Sequence, residues 1–116
     1  MEIKGRWISE AMEAPVPAQV AALLKGKTFP TFDDFRSAFW KAVGGIPELA
    51  GQFSPQNRGL MRRGYAPKAP QEHQTPDQKV FILHHHVPIS KGGAVYDVDN
   101  IKVVSPKRHH ELHYND

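Results

Sequence analysis

His109 and His113 stand four residues apart near the end of the chain. On a helix, residues at i and i+4 share a face, so both imidazoles can reach one point in space. A divalent ion held there needs at least one more ligand, and the nearest supply is the run His84-His85-His86. Neutral imidazoles would leave such an ion its full charge. They would also leave open positions for water and a phosphate oxygen, as a catalytic site requires and a closed structural site does not. The competing reading is that these histidines are solvated or satisfied by hydrogen bonds in a core.

Composition narrows the chemistry further. Six of the seven histidines lie between His84 and His113, and there is no cysteine. That excludes a disulfide scaffold, a thiolate zinc finger, an iron–sulfur cluster and a cysteine nucleophile, so a metal can be held only by imidazole or carboxylate. At 116 residues one compact domain is expected. The net charge of +3 is uneven: residues 1–57 balance to zero, and residues 58–116 carry the whole excess. A basic C-terminal half suits a polyanion. The longest apolar run, Val20–Leu24, is far short of the roughly 20 residues that span a bilayer. Met1–Ala14 has no continuous apolar stretch of the signal-peptide kind, so the expectation is a chain made in the cytoplasm.

The elements that must position these residues can be read in order. Met1–Pro17 reads as an irregular arm with one turn around Trp7–Met12. Ala18–Lys25 has helical spacing and is stopped by Gly26. Thr31 reads as the N-cap of a helix with Asp33 and Asp34 in its first turn, where the dipole favours acids. Phe32, Phe35, Phe39, Trp40 and Val43 form its core-facing stripe, and Gly44-Gly45 ends it. Pro47–Ala50 reads as a short helical turn. Ser54-Pro55 opens a further helix through Met61–Arg63 that stops at Gly64. Tyr65–Gln78 reads as a surface loop, and loops of that length are often functional. Lys79–Leu83 and Ile101–Val104 read as strands, separated by a loop with Gly92-Gly93. Ser105-Pro106 starts a helix to about His113.

In this setting a longer pattern emerges. His84-His85, Pro88-Ile89-Ser90, Gly92-Gly93, Val95-Tyr96-Asp97, Asp99-Asn100-Ile101, Pro106-Lys107-Arg108-His109 and His113 together resemble the HNH nuclease motif. More narrowly, they resemble the DNase domain of E-group colicins and S-type pyocins. The likeness extends upstream through Pro15-Val16-Pro17, Phe32-Asp33-Asp34-Phe35-Arg36, Trp40, Pro47-Glu48-Leu49 and Gly64-Tyr65, covering roughly Gly5–His113.

The resemblance implies an α+β fold: a mainly helical body over about residues 1–78 and a C-terminal ββα-metal (His-Me finger) motif over about 79–114, in a single nuclease domain of residues 1–116. It implies a metal-dependent DNA endonuclease with little sequence preference, the cytotoxic domain of a bacteriocin. His84, His109 and His113 match the metal ligands, His85 the general base and Asn100 the residue that holds the base. One divalent ion is implied: Zn²⁺ by affinity, with Mg²⁺ or Ni²⁺ as alternatives for activity. Consecutive strand residues face opposite ways, so His84 and His85 can share a site only where the pleat is lost at a strand end. His73, His86 and His110 have no assigned role. The expected partner is double-stranded DNA, with Lys4, Arg6, Lys79, Lys107 and Arg108 as phosphate contacts. A small acidic immunity protein is the second partner, on an exosite of Arg36, Ser54, Arg58, Arg62, Tyr65 and Lys68. A monomer is expected, made in the bacterial cytoplasm, released in a toxin, and acting in the target-cell cytoplasm. Two positions depart from the family pattern, which usually has an acid where this chain has Ile82 and often an arginine where it has Gln78. They motivate an alternative, a catalytically weakened nucleic-acid- or immunity-binding module with a structural metal site.

Overall fold

The computed structural model describes residues 5–85 and 100–114, with side chains as far as residue 112. The chain divides into two compact units, Met1–Trp7 with Val16–Pro67, and Ile8–Pro15 with Lys68–Asp116.

The first unit is helical: α1 (Ala18–Leu24), α2 (Phe32–Gly44), α3 (Pro47–Ala50) and α4 (Pro55–Arg62). Its helices begin where short oxygen-bearing side chains can satisfy free N–H groups. Thr31 accepts from the Asp34 N–H at 3.1 Å, and Ser54 accepts from the Asn57 N–H at 3.2 Å. Each cap of this kind is worth about 1 kcal/mol. Phe35, Phe39, Trp40 and Val43 of α2 are buried, as the stripe predicts, and Met61 of α4 joins them; Phe32, the fifth residue of the stripe, is only half-buried because it stands in the first turn at the edge of the core. Gly64 ends α4 with φ +86°, and a Cβ there would collide with Ser37 Oγ, so both the turn and the close approach to α2 require glycine. Trp7 is 3% exposed and packs on Phe39, Trp40 and Phe53 with ring centroids 6.2–6.4 Å away. The Trp7 backbone N–H donates to Gln52 Oε1 at 2.7 Å, and Gln52 Nε2 donates to the Gly5 and Glu48 carbonyls.

The second unit is built on an antiparallel three-stranded sheet, β1 (Glu13–Pro15), β2 (Ile82–His85) and β3 (Ile101–Val104), in the order β1-β3-β2. Helix α5 (Pro106–Tyr114) follows β3 directly. Val103, Val104, Leu83, Phe81 and Ile101 form its core. Ser105, fully buried, joins sheet to helix: its N–H donates to the Met12 carbonyl, and its hydroxyl caps the Arg108 N–H at 3.1 Å. Met12 takes up φ 60°, unusual for a residue with a Cβ, at the turn that feeds β1.

The structure changes the sequence reading in three places. The arm Met1–Pro17 is not wholly irregular, since Glu13–Pro15 pairs with β3 as an edge strand. An edge position tolerates Pro15, whose missing N–H faces away from the ladder. The strand expected over Lys79–Leu83 is shifted to Ile82–His85, because the ladder extends only where β3 stands opposite, from Val104 to Ile101. Val80 instead forms an isolated bridge with Lys68. The segment Tyr65–Gln78 is not a surface loop throughout: Pro67 and Ala69 are buried, the Ala69 N–H donates to the Lys79 carbonyl, and Gln71–His73 forms a short 3₁₀ turn.

Candidate active site

β2, the start of β3 and α5 supply the site. His84 stands opposite Lys102 in the ladder, and His85, the last residue of β2, stands opposite Ile101. Asn100 is buried at 9% exposure immediately before β3. His109 lies in the first turns of α5, whose start is pinned by the Ser105 cap.

The fold brings His84 and His109 together. Their rings meet edge to face at 77°, with centroids 5.3 Å apart, and both residues are half-buried. Two imidazoles binding one tetrahedral ion at about 2.1 Å, with each ring centre about 1.1 Å behind its nitrogen, would have centroids about 5.2 Å apart. The observed separation therefore fits a shared ion. His113 follows one turn later on α5, and its side chain lies outside the described residues, as do His86 and the motif residues 88–99. Among the described residues, no three His, Asp or Glu side chains gather as a complete metal site. His84 and His109 are the two sequence-predicted ligands that the described structure brings together. His85 is half-buried one residue beyond His84.

Beside His109 opens a cleft of about 710 Å³ lined by Thr75, Pro76, Asp77, Gln78, Ile82, Pro106, His109 and His110. One wall is a tight turn in which the Thr75 N–H donates to the Gln78 carbonyl at 3.0 Å and the Gln78 N–H donates to Thr75 Oγ1 at 3.2 Å. Ile82 and Gln78, the two departures from the family pattern, both line this cleft.

A charged cluster flanks the two histidines. The Glu13 carboxylate accepts from Lys102 Nζ at 3.3 Å and from Arg108 Nε. Burial pushes the Glu13 carboxyl up, but hydrogen bonds and charge from Arg108 and Lys102 outweigh it and hold the group below the usual carboxylate range. No spacing in the sequence marks Glu13, because its partners lie 89 and 95 residues further along.

The remaining candidates are dispersed. Lys79 and Lys107 are exposed, and Arg6 is exposed in the first unit; Lys4 lies outside the described residues. Arg108, expected to contact phosphate, has its Nε engaged by Glu13. In the first unit, Tyr65 is 61% exposed and Arg62 is exposed. Arg58 donates to the Phe53 carbonyl at 2.7 Å, and the Ser54 hydroxyl serves as the α4 cap. Arg36 pairs with Asp33 and lies over the Phe32 ring at 5.1 Å. Lys68 is exposed in the second unit.

Comparison with known proteins gives a consistent set of relatives. The family model for the colicin/pyocin-S2 DNase domain matches residues 1–115. Colicin-E7 of Escherichia coli is 44% identical over 114 residues, covering 96% of this chain and 20% of the colicin. Pyocin-S2 of Pseudomonas aeruginosa is 42% identical over 114 residues, covering 96% of this chain and 16% of the pyocin. The chain thus spans a fifth or less of the length of these two relatives. Among solved structures, the pyocin AP41 DNase–immunity complex matches with a TM-score of 0.94 and 39% identity, over 100% of this chain and 93% of that one. The mutant nuclease domain of pyocin S8 with its cognate immunity protein matches with a TM-score of 0.92 and 40% identity, over 96% of this chain and 91% of that one.

Proposed function

The chain belongs to the colicin and pyocin DNase domain family, and from that premise we propose that residues 1–116 act as one nuclease domain that hydrolyses DNA phosphodiester bonds without sequence preference, using one divalent ion. His84, His109 and His113 would hold the ion. The observation that carries this reading is the edge-to-face pair of His84 and His109 at 5.3 Å, a separation that suits a shared ion. When bound, the ion supplies Lewis-acid stabilisation of charge on the phosphate and the departing 3′ oxygen.

The chain's own residues supply the rest. Neutral His85 accepts a proton from water as that water attacks phosphorus. Asn100, buried beside the start of β3, can donate and accept a hydrogen bond without adding charge, which suits it to orienting the base. Three neutral imidazoles leave the charge of the ion undiminished, and on affinity they favour Zn²⁺, with Ni²⁺ or Mg²⁺ as alternatives for turnover. Lys4, Arg6, Lys79 and Lys107 would hold phosphates, making DNA affinity salt-dependent. Arg108 would join them through its remaining guanidinium nitrogens, since Glu13 engages its Nε and its side chain is 32% exposed.

The deciding experiment incubates the folded protein with supercoiled plasmid and Mg²⁺, Ni²⁺ or Zn²⁺, against an EDTA control. Metal-dependent nicking is the expected result. Intact plasmid under every metal would remove the enzyme reading.

The proposed protein partner is a small acidic immunity protein. The related structures are DNase–immunity complexes. In the first unit of this chain, exposed Tyr65 and Arg62 follow Ser54 and Arg58 on or beside α4, with Arg36 on α2. Aromatic and arginine anchors of this type dominate binding hot spots. The domain is further proposed to act as a monomer, delivered within a toxin to DNA in the target-cell cytoplasm.

One observation favours a second reading. Two uncharged side chains, Ile82 and Gln78, line the cleft beside His109. With no acid at position 82 and no arginine at position 78, the site would handle phosphate less well, although Asp77 also lines the cleft, giving a weakened nuclease that still binds DNA or an immunity protein. Salt-sensitive DNA binding without nicking is its signature.

A further inference from the structure

We infer that Glu13 is a positioning residue for the His84–His109 pair, fixing the rotation of α5 against the sheet; the inference rests on the metal-site reading above.

The argument starts from register. Residues directly opposed in an antiparallel ladder carry their side chains on the same face, and so do residues two apart on one strand. Glu13 opposes Val104, Val104 and Lys102 are two apart on β3, and Lys102 opposes His84. Glu13, Lys102 and His84 therefore share one face of the sheet. α5 meets that face at two consecutive residues. Arg108 binds the Glu13 carboxylate, reaching edge strand β1, and His109 meets the His84 ring on the opposite strand, β2. The Ser105 cap fixes where the helix starts, through a bond within the first turn. The bond from Arg108 to Glu13 ties the helix to β1 at the residue next to His109, and this is the constraint that would orient the His109 ring towards His84.

Charge works in the same direction. Lys102 stands across from His84, and its side chain is only 16% exposed. An ammonium there opposes a divalent ion, and water screens a part-buried charge poorly. The Glu13 carboxylate neutralises it. One side chain from the edge strand thus ties β3 to α5 and offsets the cation nearest one proposed ligand.

Three variants and one control test this. Glu13→Gln keeps the size and removes the charge. Arg108→Gln cuts the same link from the helix side, and keeps the test open should the first variant fail to fold. Glu13→Asp is the conservative variant. Thr31→Ala, in the first unit, is a control that lowers stability away from the site. Co²⁺ is titrated into each protein and followed by its visible absorption band. The Hε1 resonances of His84 and His109 are recorded without metal. Glu13→Gln and Arg108→Gln are expected to weaken Co²⁺ binding at least tenfold and to move both resonances. Glu13→Asp should recover affinity to within about threefold of wild type, and Thr31→Ala should leave it unchanged. The inference is overturned if the Gln variants bind Co²⁺ within twofold of wild type, or if Thr31→Ala weakens binding by the same factor. Wild-type protein that binds no Co²⁺ would remove the metal-site reading itself, a failure distinct from the first two.

Discussion

His84 and His109 meet edge to face, one ring from a strand and the other from the helix that follows the next strand in the sequence. Neither is fully buried, and the cleft lined by His109 opens beside them. The pair joins β2 to α5, which makes it a good place to look for consequences of substitution.

Replacing His85 by Ala should separate binding from chemistry. Metal affinity by calorimetric titration should stay within about twofold of wild type. Plasmid cleavage should fall by about 10²–10⁴-fold, the range lost with a positioned general base. Equal losses of both would place His85 among the ligands instead.

Glu13 sets a pH dependence of stability with a definite sign. Its folded-state pKa is depressed, so its contribution is present above the unfolded value of about 4.3 and is lost as pH falls through the folded one. The difference in thermal midpoint between wild type and Glu13→Gln, measured without metal, should be full at pH 7 and should close as the pH is lowered through 4. A difference that persists unchanged at pH 3 would show that the carboxylate charge is not its source.

Gly64→Ala should destabilise the protein by about 1–3 kcal/mol, because the new Cβ meets Ser37 Oγ and the backbone holds φ +86°. Urea unfolding measures this. The neighbouring Gly59 has open space where its Cβ would be, and it lies inside α4. Gly59→Ala should therefore be neutral or stabilising by up to about 1 kcal/mol.

Ile82→Glu tests whether the uncharged side chain at position 82 weakens the enzyme. It places a carboxylate in the cleft beside His109. Plasmid nicking in the presence of the most active metal is expected to rise about fivefold or more. An unchanged or lower rate would show that Ile82 is no handicap in this chain.

What could be read in the sequence follows the range of the forces involved. The caps at Thr31 and Ser54, the stripe on α2 and the stops at Gly44-Gly45 and Gly64 are local effects, and the helices fall where those signals put them. The legible spacing is that of His109 and His113, whose second side chain lies outside the described residues; His84 enters through the family resemblance, and the structure brings its ring to that of His109. β1 was not legible. Three residues ending in Pro15 carry no strand signal, and they become a strand because β3 offers them a free edge. The start of β2 was misplaced for the same reason, since a strand begins where its partner does. Glu13 was invisible because its meaning lies entirely in Lys102 and Arg108, which only the folded sheet brings to it.

Trp7 and Trp40 pack together with ring centroids 6.2 Å apart, both buried, and they are the two tryptophans of the chain. Both belong to the helical unit, whereas His84, His85 and His109 belong to the other. Intrinsic tryptophan emission is therefore a built-in reporter for one half of the molecule. A denaturation curve read at that wavelength follows the aromatic cluster directly. Comparing it with the imidazole resonances of the second unit would reveal whether the two halves melt as one cooperative body or in separate steps.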